Sequence, residues 1–164
     1  MDIKIRKMEL NDWKYVSKIY VEGINTGNAN FETNLPSWDK WNLDRVPECS
    51  IVACNENIIV GWASLSFISE REVYNGVAED SVYVTETYRG MGIGNALFEK
   101  LIELSEKKDI WTLHARIFPE NNQSIALHKK HDFRIVGTHK RIGKMDGKWR
   151  DVTVMERRSK KVGI

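Results

Sequence analysis

Residues 82–94 read VYVTETYRGMGIG, which sets Gly90, Gly92 and Gly94 at alternate positions directly behind Arg89. A loop that closes into a helix presents unpaired N–H groups and the positive end of the helix dipole, and both attract phosphate. Glycines let such an anion approach the backbone with no Cβ in its way. Two familiar phosphate loops fail on spacing. The Gly-Lys-Ser/Thr of a Walker loop is absent, and a dinucleotide fingerprint needs its third glycine at position 95, where Asn95 stands. The competing reading, that the glycines only shape a tight junction, is outweighed by the arginine in front and the helical pattern behind.

The neighbours fix that junction. Glu79 to Val84 carries the Val/Tyr content of a strand, and from Gly92 onward Ile93, Leu97, Leu101 and Leu104 fall at helical spacing with Phe98 and Ile102 beside them. Upstream, Ile3 to Ile5 alternates as a strand, and Asn11 or Asp12 can cap a helix bearing Val16, Ile19 and Tyr20. A Gly/Asn-rich loop over 23–36 follows, long enough to be a candidate for function, and then Ser37 as N-cap of a short helix with Trp38 and Trp41. Residues 50–68 read as two strands around an Asn55-Glu56-Asn57 turn. Further on come a strand over 109–118, a short helix capped by Asn121 or Asn122, and two strands joined through Asp146-Gly147. The sum is a mixed α/β domain in which strands outnumber helices.

At 164 residues the chain fits one compact domain, 1–164. Hydrophobic residues make up 41% and charged residues 29%, ordinary for a soluble globular protein, and no apolar run approaches the roughly 18 residues that span a membrane. The N-terminal MDIKIRKMEL lacks the apolar core of a signal peptide, so the expected location is cytoplasmic. A net charge of +2, from 25 basic and 23 acidic residues mixed along the chain, leaves no footprint for nucleic acid. The one basic cluster, Arg157, Arg158, Lys160 and Lys161, reads as a solvated tail. Cys49 and Cys54 sit five apart at a strand entry, too far for a disulfide, and are expected to be reduced.

Arg89, Gly92 and Gly94 satisfy Arg/Gln-x-x-Gly-x-Gly/Ala, and in this the chain resembles the GNAT superfamily of N-acetyltransferases. The segments GNANFET, REVY, AEDSVYV, RGMGIG, NNQSIALHKKHDF and GKWRDV follow the order and approximate spacing of its phosphinothricin N-acetyltransferase group, over nearly the whole chain. That resemblance implies a GNAT fold, an α/β (α+β) mixed central sheet flanked by helices. It implies acetyl-CoA as donor, no metal, a small-molecule amine acceptor such as phosphinothricin or methionine sulfoximine, and a homodimer. Rival readings are a GNAT enzyme for another small amine or a protein N-terminus, and a CoA-binding module without turnover.

The resemblance also assigns roles. Val82, Tyr83 and Val84 would pair with the pantetheine arm, with the Val84 N–H also serving the thioester oxygen; Arg89, Gly90, Met91, Gly92, Ile93, Gly94 and Asn95 would cradle the pyrophosphate. Asn121 would hold the far side of the cofactor, or else only cap a helix. Amide formation needs a neutral amine while an ammonium predominates near neutral pH, so a proton acceptor is required. Glu79 matches the group's proposed base, and His128 stands where many relatives carry a tyrosine acid; a histidine there could relay the proton or protonate the thiolate. Phe31, Glu32, Arg71, Glu72, Val73, Glu79, Asp80 and Ser81 would line the acceptor site, Arg71 as the anchor for a carboxylate or phosphinate. His114, His131 and His139 are read as packing or surface residues. Three departures stand out: a short 71–79 loop, Asn30 where threonine is frequent, and Asp132 where glycine is common.

Overall fold

The computed structural model describes all residues 1–164. Its strands are β1 (Ile3–Lys7), β2 (Ile51–Asn55), β3 (Ile58–Phe67), β4 (Val77–Val84), β5 (Thr112–Ile117), β6 (Arg134–Met145) and β7 (Lys148–Arg158). Its helices are α1 (Trp13–Asn25), α2 (Trp38–Asn42), α3 (Ile93–Lys107) and α4 (Asn122–Lys130). The strands form one mixed sheet in the order β1-β2-β3-β4-β5-β7-β6 with helices on both faces, the arrangement expected from the sequence. All neighbours are antiparallel except β4 and β5, which are parallel and pair only from Val77↔Thr112 to Glu79↔His114. Past Glu79 the two strands diverge, and a wedge opens in the middle of the sheet.

Side chains alternate across a strand, so each face collects its own core. On one face Leu97, Phe98 and Leu101 of α3 pack on Ala63, Leu65, Ala78, Leu113 and Met155. On the other, Val16, Ile19 and Tyr20 of α1 and Trp41 of α2 pack on Val52, Cys54 and Trp62. Cys49 belongs to the first core and Cys54 to the second. Tryptophans and tyrosines dominate the second: Trp62 stacks on Tyr83 at 4.6 Å and 11° and meets Trp41 edge-on at 5.5 Å, while Tyr20 meets Tyr83 at 5.3 Å. Such packing holds β4 firmly from behind.

Several local readings sharpen. Asp12 precedes α1, but its carboxylate accepts from Arg6 Nη1 and Nη2 (2.7 and 2.9 Å) and from Glu9 N–H (2.8 Å) instead of capping that helix. Helix α1 runs on to Asn25 and takes the first residues of the expected loop. Ser37 caps α2 by accepting from Lys40 N–H at 3.2 Å. The solvated-tail reading of the basic cluster holds for the exposed Lys160 and Lys161 and is corrected for the arginines: Arg157 and Arg158 end β7, Arg157 pairs with Glu106, and Arg158 donates to main-chain oxygens of Trp111 and Val162. A carboxylate on α3 and free carbonyls beside β5 recruit charges that sequence alone leaves in water. Asp132 takes φ 65°, the left-handed conformation that a glycine adopts without strain.

Candidate active site

Strand β4 is the platform. Thr85 N–H donates to Val60 O at 2.9 Å, so by the two-residue alternation of a strand the N–H groups of Val82 and Val84 point away from β3. That is the side on which β5 has parted, so both donors face the wedge. The Val84 carbonyl accepts from Arg89 Nε at 3.1 Å, which folds the arginine back on the strand and leaves the Val84 N–H free for an extended ligand. Glu22 of α1 fastens the strand end, accepting from Thr85 Oγ1 (2.9 Å) and Glu86 N–H (2.8 Å).

The glycine turn closes the mouth of the wedge. Gly90 has φ 77° and Gly92 φ 84°, and a Cβ built on either would meet no atom within 4 Å. The turn thus needs glycine for its backbone angles, and open space stands above it. Gly92 is the N-cap of α3, no side chain caps that end, and no acidic residue occupies its first turn. The first helical bond is Ala96 N–H to Gly92 O, so the N–H groups of Ile93, Gly94 and Asn95 have no helical acceptor. Asn95 commits its side chain elsewhere, to Glu99 and His131. Donors without helical acceptors at an uncapped helix start, with Arg89 in front, fit a diphosphate. Across the wedge, Asn121 Oδ1 caps α4 by accepting from Ser124 N–H (3.2 Å), and its Nδ2 donates to Asn28 O (3.2 Å). Both readings offered for Asn121 keep it beside the wedge, but its amide is already engaged at both ends.

His128 is engaged at both ring nitrogens. Its ring and the Asp80 carboxylate are 5% and 3% exposed, with Nε2 2.9 Å from Asp80 Oδ1. Nδ1 lies 2.6 Å from Ser124 O, which can only accept, so that nitrogen carries a proton. A neutral ring would then aim a bare lone pair at a carboxylate, which makes the pair imidazolium and carboxylate. Burial alone would pull the His128 pKa down, but the charge and hydrogen bond of Asp80 and the Ser124 carbonyl outweigh it, and the net direction is up. Phe98 and Phe133 close on the ring edge-on at 4.9 Å each. The placement of Asp80 is corrected too: it points toward α4, on the opposite face from Glu79 and Ser81, because neighbouring strand residues alternate.

Glu79 and Ser81 share the face that α1 and α2 cover as far as β4. Beyond it, Arg116 of β5 lies open, 65% exposed against 22% for Glu79. Both Arg116 bonds, from Nε (3.0 Å) and Nη2 (2.6 Å), fall on Glu79 Oε2, which leaves Oε1 without a partner. Ser81 Oγ accepts from Arg45 Nη1 at 3.4 Å. Asn30 Nδ2 donates to the hydroxyls of Tyr83 (2.7 Å) and Tyr20 (3.3 Å), and Asn30 Oδ1 accepts from Glu32 N–H (2.8 Å), which brings the loop to this face. Burial raises the pKa of both tyrosines, with the Glu32 charge adding to it, so both hydroxyls stay neutral. Phe31 sits farther along, edge-on to Phe118 at 4.9 Å. Arg71, Glu72 and Val73 lie in the β3–β4 connection, just past the Phe67↔Ala78 pair and thus at the Glu79 end of β4.

The model of the acetyltransferase (GNAT) family matches residues 13–133. The chain belongs to that family. A phosphinothricin N-acetyltransferase of Streptomyces viridochromogenes is 27% identical over 159 residues, 94% of this chain and 87% of that one. An L-methionine sulfoximine/L-methionine sulfone acetyltransferase of Pseudomonas paraeruginosa is 35% identical over 98 residues, 60% of this chain. Against curated relatives at 35–36% identity the chain spans 57–66% of their length. The crystal structure of a GNAT superfamily phosphinothricin acetyltransferase from Sinorhizobium meliloti in complex with AcCoA superposes with a TM-score of 0.88 at 27% identity, covering 99% of this chain and 91% of that one.

As a GNAT protein the chain wears its cofactor signature in plain sequence, while the groups around Glu79 come from four separate segments. Sequence reading missed Arg45, Arg116 and Glu22, and noticed Asn30 only as a departure. Arg116 had a visible signal, since it falls on the same strand face as His114 two residues earlier. Arg45 and Glu22 had none, for the strand residues they reach, Ser64, Ser81, Thr85 and Glu86, lie 19 to 64 residues away.

Proposed function

We propose that this protein, taken as one acetyltransferase domain over 1–164, moves acetyl from acetyl-CoA to the amino group of a small amino-acid analogue of the phosphinothricin or methionine sulfoximine type. The observation that carries this reading is the wedge: two outward-facing β4 amides running into an uncapped, glycine-lined helix start. Acetyl-CoA supplies the activated acyl carbon when bound. Val82 and Val84 hold its extended arm through their main chain, with Tyr83 between them packed into the core as the strand's anchor. The turn from Arg89 through Gly90, Met91, Gly92, Ile93, Gly94 and Asn95 takes the pyrophosphate, and Asn121 borders the opposite wall. The Val84 N–H is aimed where charge builds on the thioester oxygen; removal of such a donor costs roughly 2.7–4 kcal/mol in other enzymes.

Glu79 is the base. Its Oε1 takes one proton from the acceptor's ammonium, directly or through one water, so that the amine lone pair can add to the acyl carbon; as the C–S bond breaks, the nitrogen's surplus proton passes to the departing CoA thiolate, which leaves as the free thiol. Because Arg116 is largely exposed, its hold on Oε2 is weak enough to yield to an incoming ammonium. His128 serves as a positioning residue whose charge fixes α4 to β4 through Asp80. Glu32 and Phe31 from the loop, Ser81 from β4, and Arg71, Glu72 and Val73 from the rim surround the acceptor, with Arg71 facing an anionic group at its outer end. A homodimer is supported by the apolar residues Ile135, Val136, Ile142 and Trp149 left exposed on β6 and β7. A cytoplasmic setting follows from the need for acetyl-CoA.

The test is thiol release from acetyl-CoA with a panel of amino acids, sulfoximines, polyamines and peptides. Turnover with L-methionine sulfoximine or phosphinothricin is the expected result. Turnover of peptides alone would replace the acceptor, and CoA binding with no turnover on any amine would replace the enzyme by a binding module.

A further inference from the structure

Arg45 follows α2 in the segment Leu43-Asp44-Arg45-Val46, and nothing in its sequence context marks it. Its guanidinium is packed into the α1/α2 face of the sheet, flat over the Trp41 ring at 4.3 Å. All three of its hydrogen bonds go to neutral oxygens: Nε to Trp41 O at 3.0 Å, and Nη1 to Ser64 Oγ and Ser81 Oγ, both long at 3.4 Å. Nη2 donates to nothing. Arg6, Arg116, Arg150 and Arg157, by contrast, each have a carboxylate within 4 Å. Burial pulls the Arg45 pKa below its ordinary value, against the weak opposing pull of Tyr20, Tyr83, Glu79 and Asp44. A half-buried cation with one good bond, and with Nη2 left without a protein acceptor, is completed when an anion reaches that nitrogen.

We propose that Arg45 binds the α-carboxylate of the acceptor. The placement relative to Glu79 fits an α-amino acid. Ser81, which Arg45 touches, and Glu79 are two residues apart on the same face of β4, about 6.8 Å along the strand. An amino acid bridging the two would set its carboxylate on Arg45 Nη2 and its ammonium at Glu79 Oε1. Ser64 and Ser81 sit opposite each other on β3 and β4 and hold Nη1, so the guanidinium plane is fixed before the acceptor arrives. This leaves Arg71 at the rim for the acceptor's far end, and makes a free α-carboxylate the feature that separates acceptors from simple amines and from peptide N-termini. The inference rests on the acetyl-transfer reading above and deepens it.

Three probes decide it with the CoA-loaded protein: L-methionine sulfone, its decarboxylated amine and its deaminated acid. Calorimetry is expected to show the amino acid binding roughly 100-fold more tightly than the amine, the loss typical of an unpaired buried charge. The deaminated acid should bind measurably. In Arg45→Gln the amino acid and the acid should lose that advantage, while the amine binds within about 3-fold of its wild-type affinity, as for a site with no partner on this ligand. Equal binding of amino acid and amine by the wild-type protein overturns the proposal without any variant. So does an Arg45→Gln protein that weakens all three probes alike. Thiol release on the same samples separates the two claims: acid bound through Arg45 with no acetylation of either amine removes the transferase reading, and equal kcat/KM for amino acid and amine removes the carboxylate site alone.

Discussion

The two faces of β4 handle charge in opposite ways. Toward α4, Asp80 and His128 form a sealed pair whose nitrogens are both used. Toward α1 and α2, Glu79 keeps one oxygen free and Arg45 keeps one nitrogen free, so an unused acceptor and an unused donor stand on one face. One residue of sequence separates Glu79 from Asp80, yet the pleat sends one to solvent-reached chemistry and the other to the packing of a helix. Each carboxylate is held through one oxygen only; what separates them is exposure, since the partner of Glu79 is open to solvent while Asp80 and His128 are both buried.

The sharpest break of this contrast is Glu79→Gln. It is expected to lower kcat/KM by about 100- to 1,000-fold, the usual worth of a positioned base, while the denaturation midpoint stays put, because only a half-open ion pair is lost. Stopped or steady-state thiol release alongside urea unfolding checks both halves. Asp80→Asn should do the reverse. Leaving the imidazolium buried without its counter-charge is expected to cost about 3 kcal/mol of stability, read in urea, with a smaller loss of kcat/KM in the protein that remains folded.

The sealed pair also predicts a pH signature. Because the folded pKa of His128 is raised, its stabilisation is fully present below the unfolded value near ~6.5 and is lost as pH rises through the folded pKa. His131 acts with the opposite sign, since burial lowers its pKa, so the slope belongs in the difference between wild type and His128→Gln measured from pH 5 upward. A difference that grows toward alkaline pH contradicts the imidazolium assignment. The smallest effect expected is Asp132→Gly, which relieves the φ 65° strain at the end of α4 and should raise stability by roughly 0.5–1 kcal/mol without touching activity.

Much of the fold is legible in the chain because its signals are local. The Leu97/Leu101 stripe, the Ser37 cap, the Asp146-Gly147 turn and the alternation of β5 each depend on residues within a few positions. The glycine turn is readable for the same reason, since Gly90 and Gly92 adopt positive φ that glycine takes without strain. The acceptor side is not, because Arg45, Ser64, Ser81, Asn30 and Arg116 meet only after β3, β4, β5 and a loop have been assembled. Asp151 belongs to the same class: it accepts from Arg141 N–H at 2.8 Å and so pins the irregularity in β6, a task invisible in GKWRDV itself.

By itself, then, the order of amino acids determined the elements, the glycine turn and the polarity of each strand, because backbone angles and period-two or period-3.6 burial are properties of neighbours. Only the tertiary structure decided which carboxylate is sealed and which is open, since desolvation and ion pairing depend on what another part of the chain brings within 4 Å. For His128 it supplied the buried partner, Asp80, that no neighbour in sequence announces.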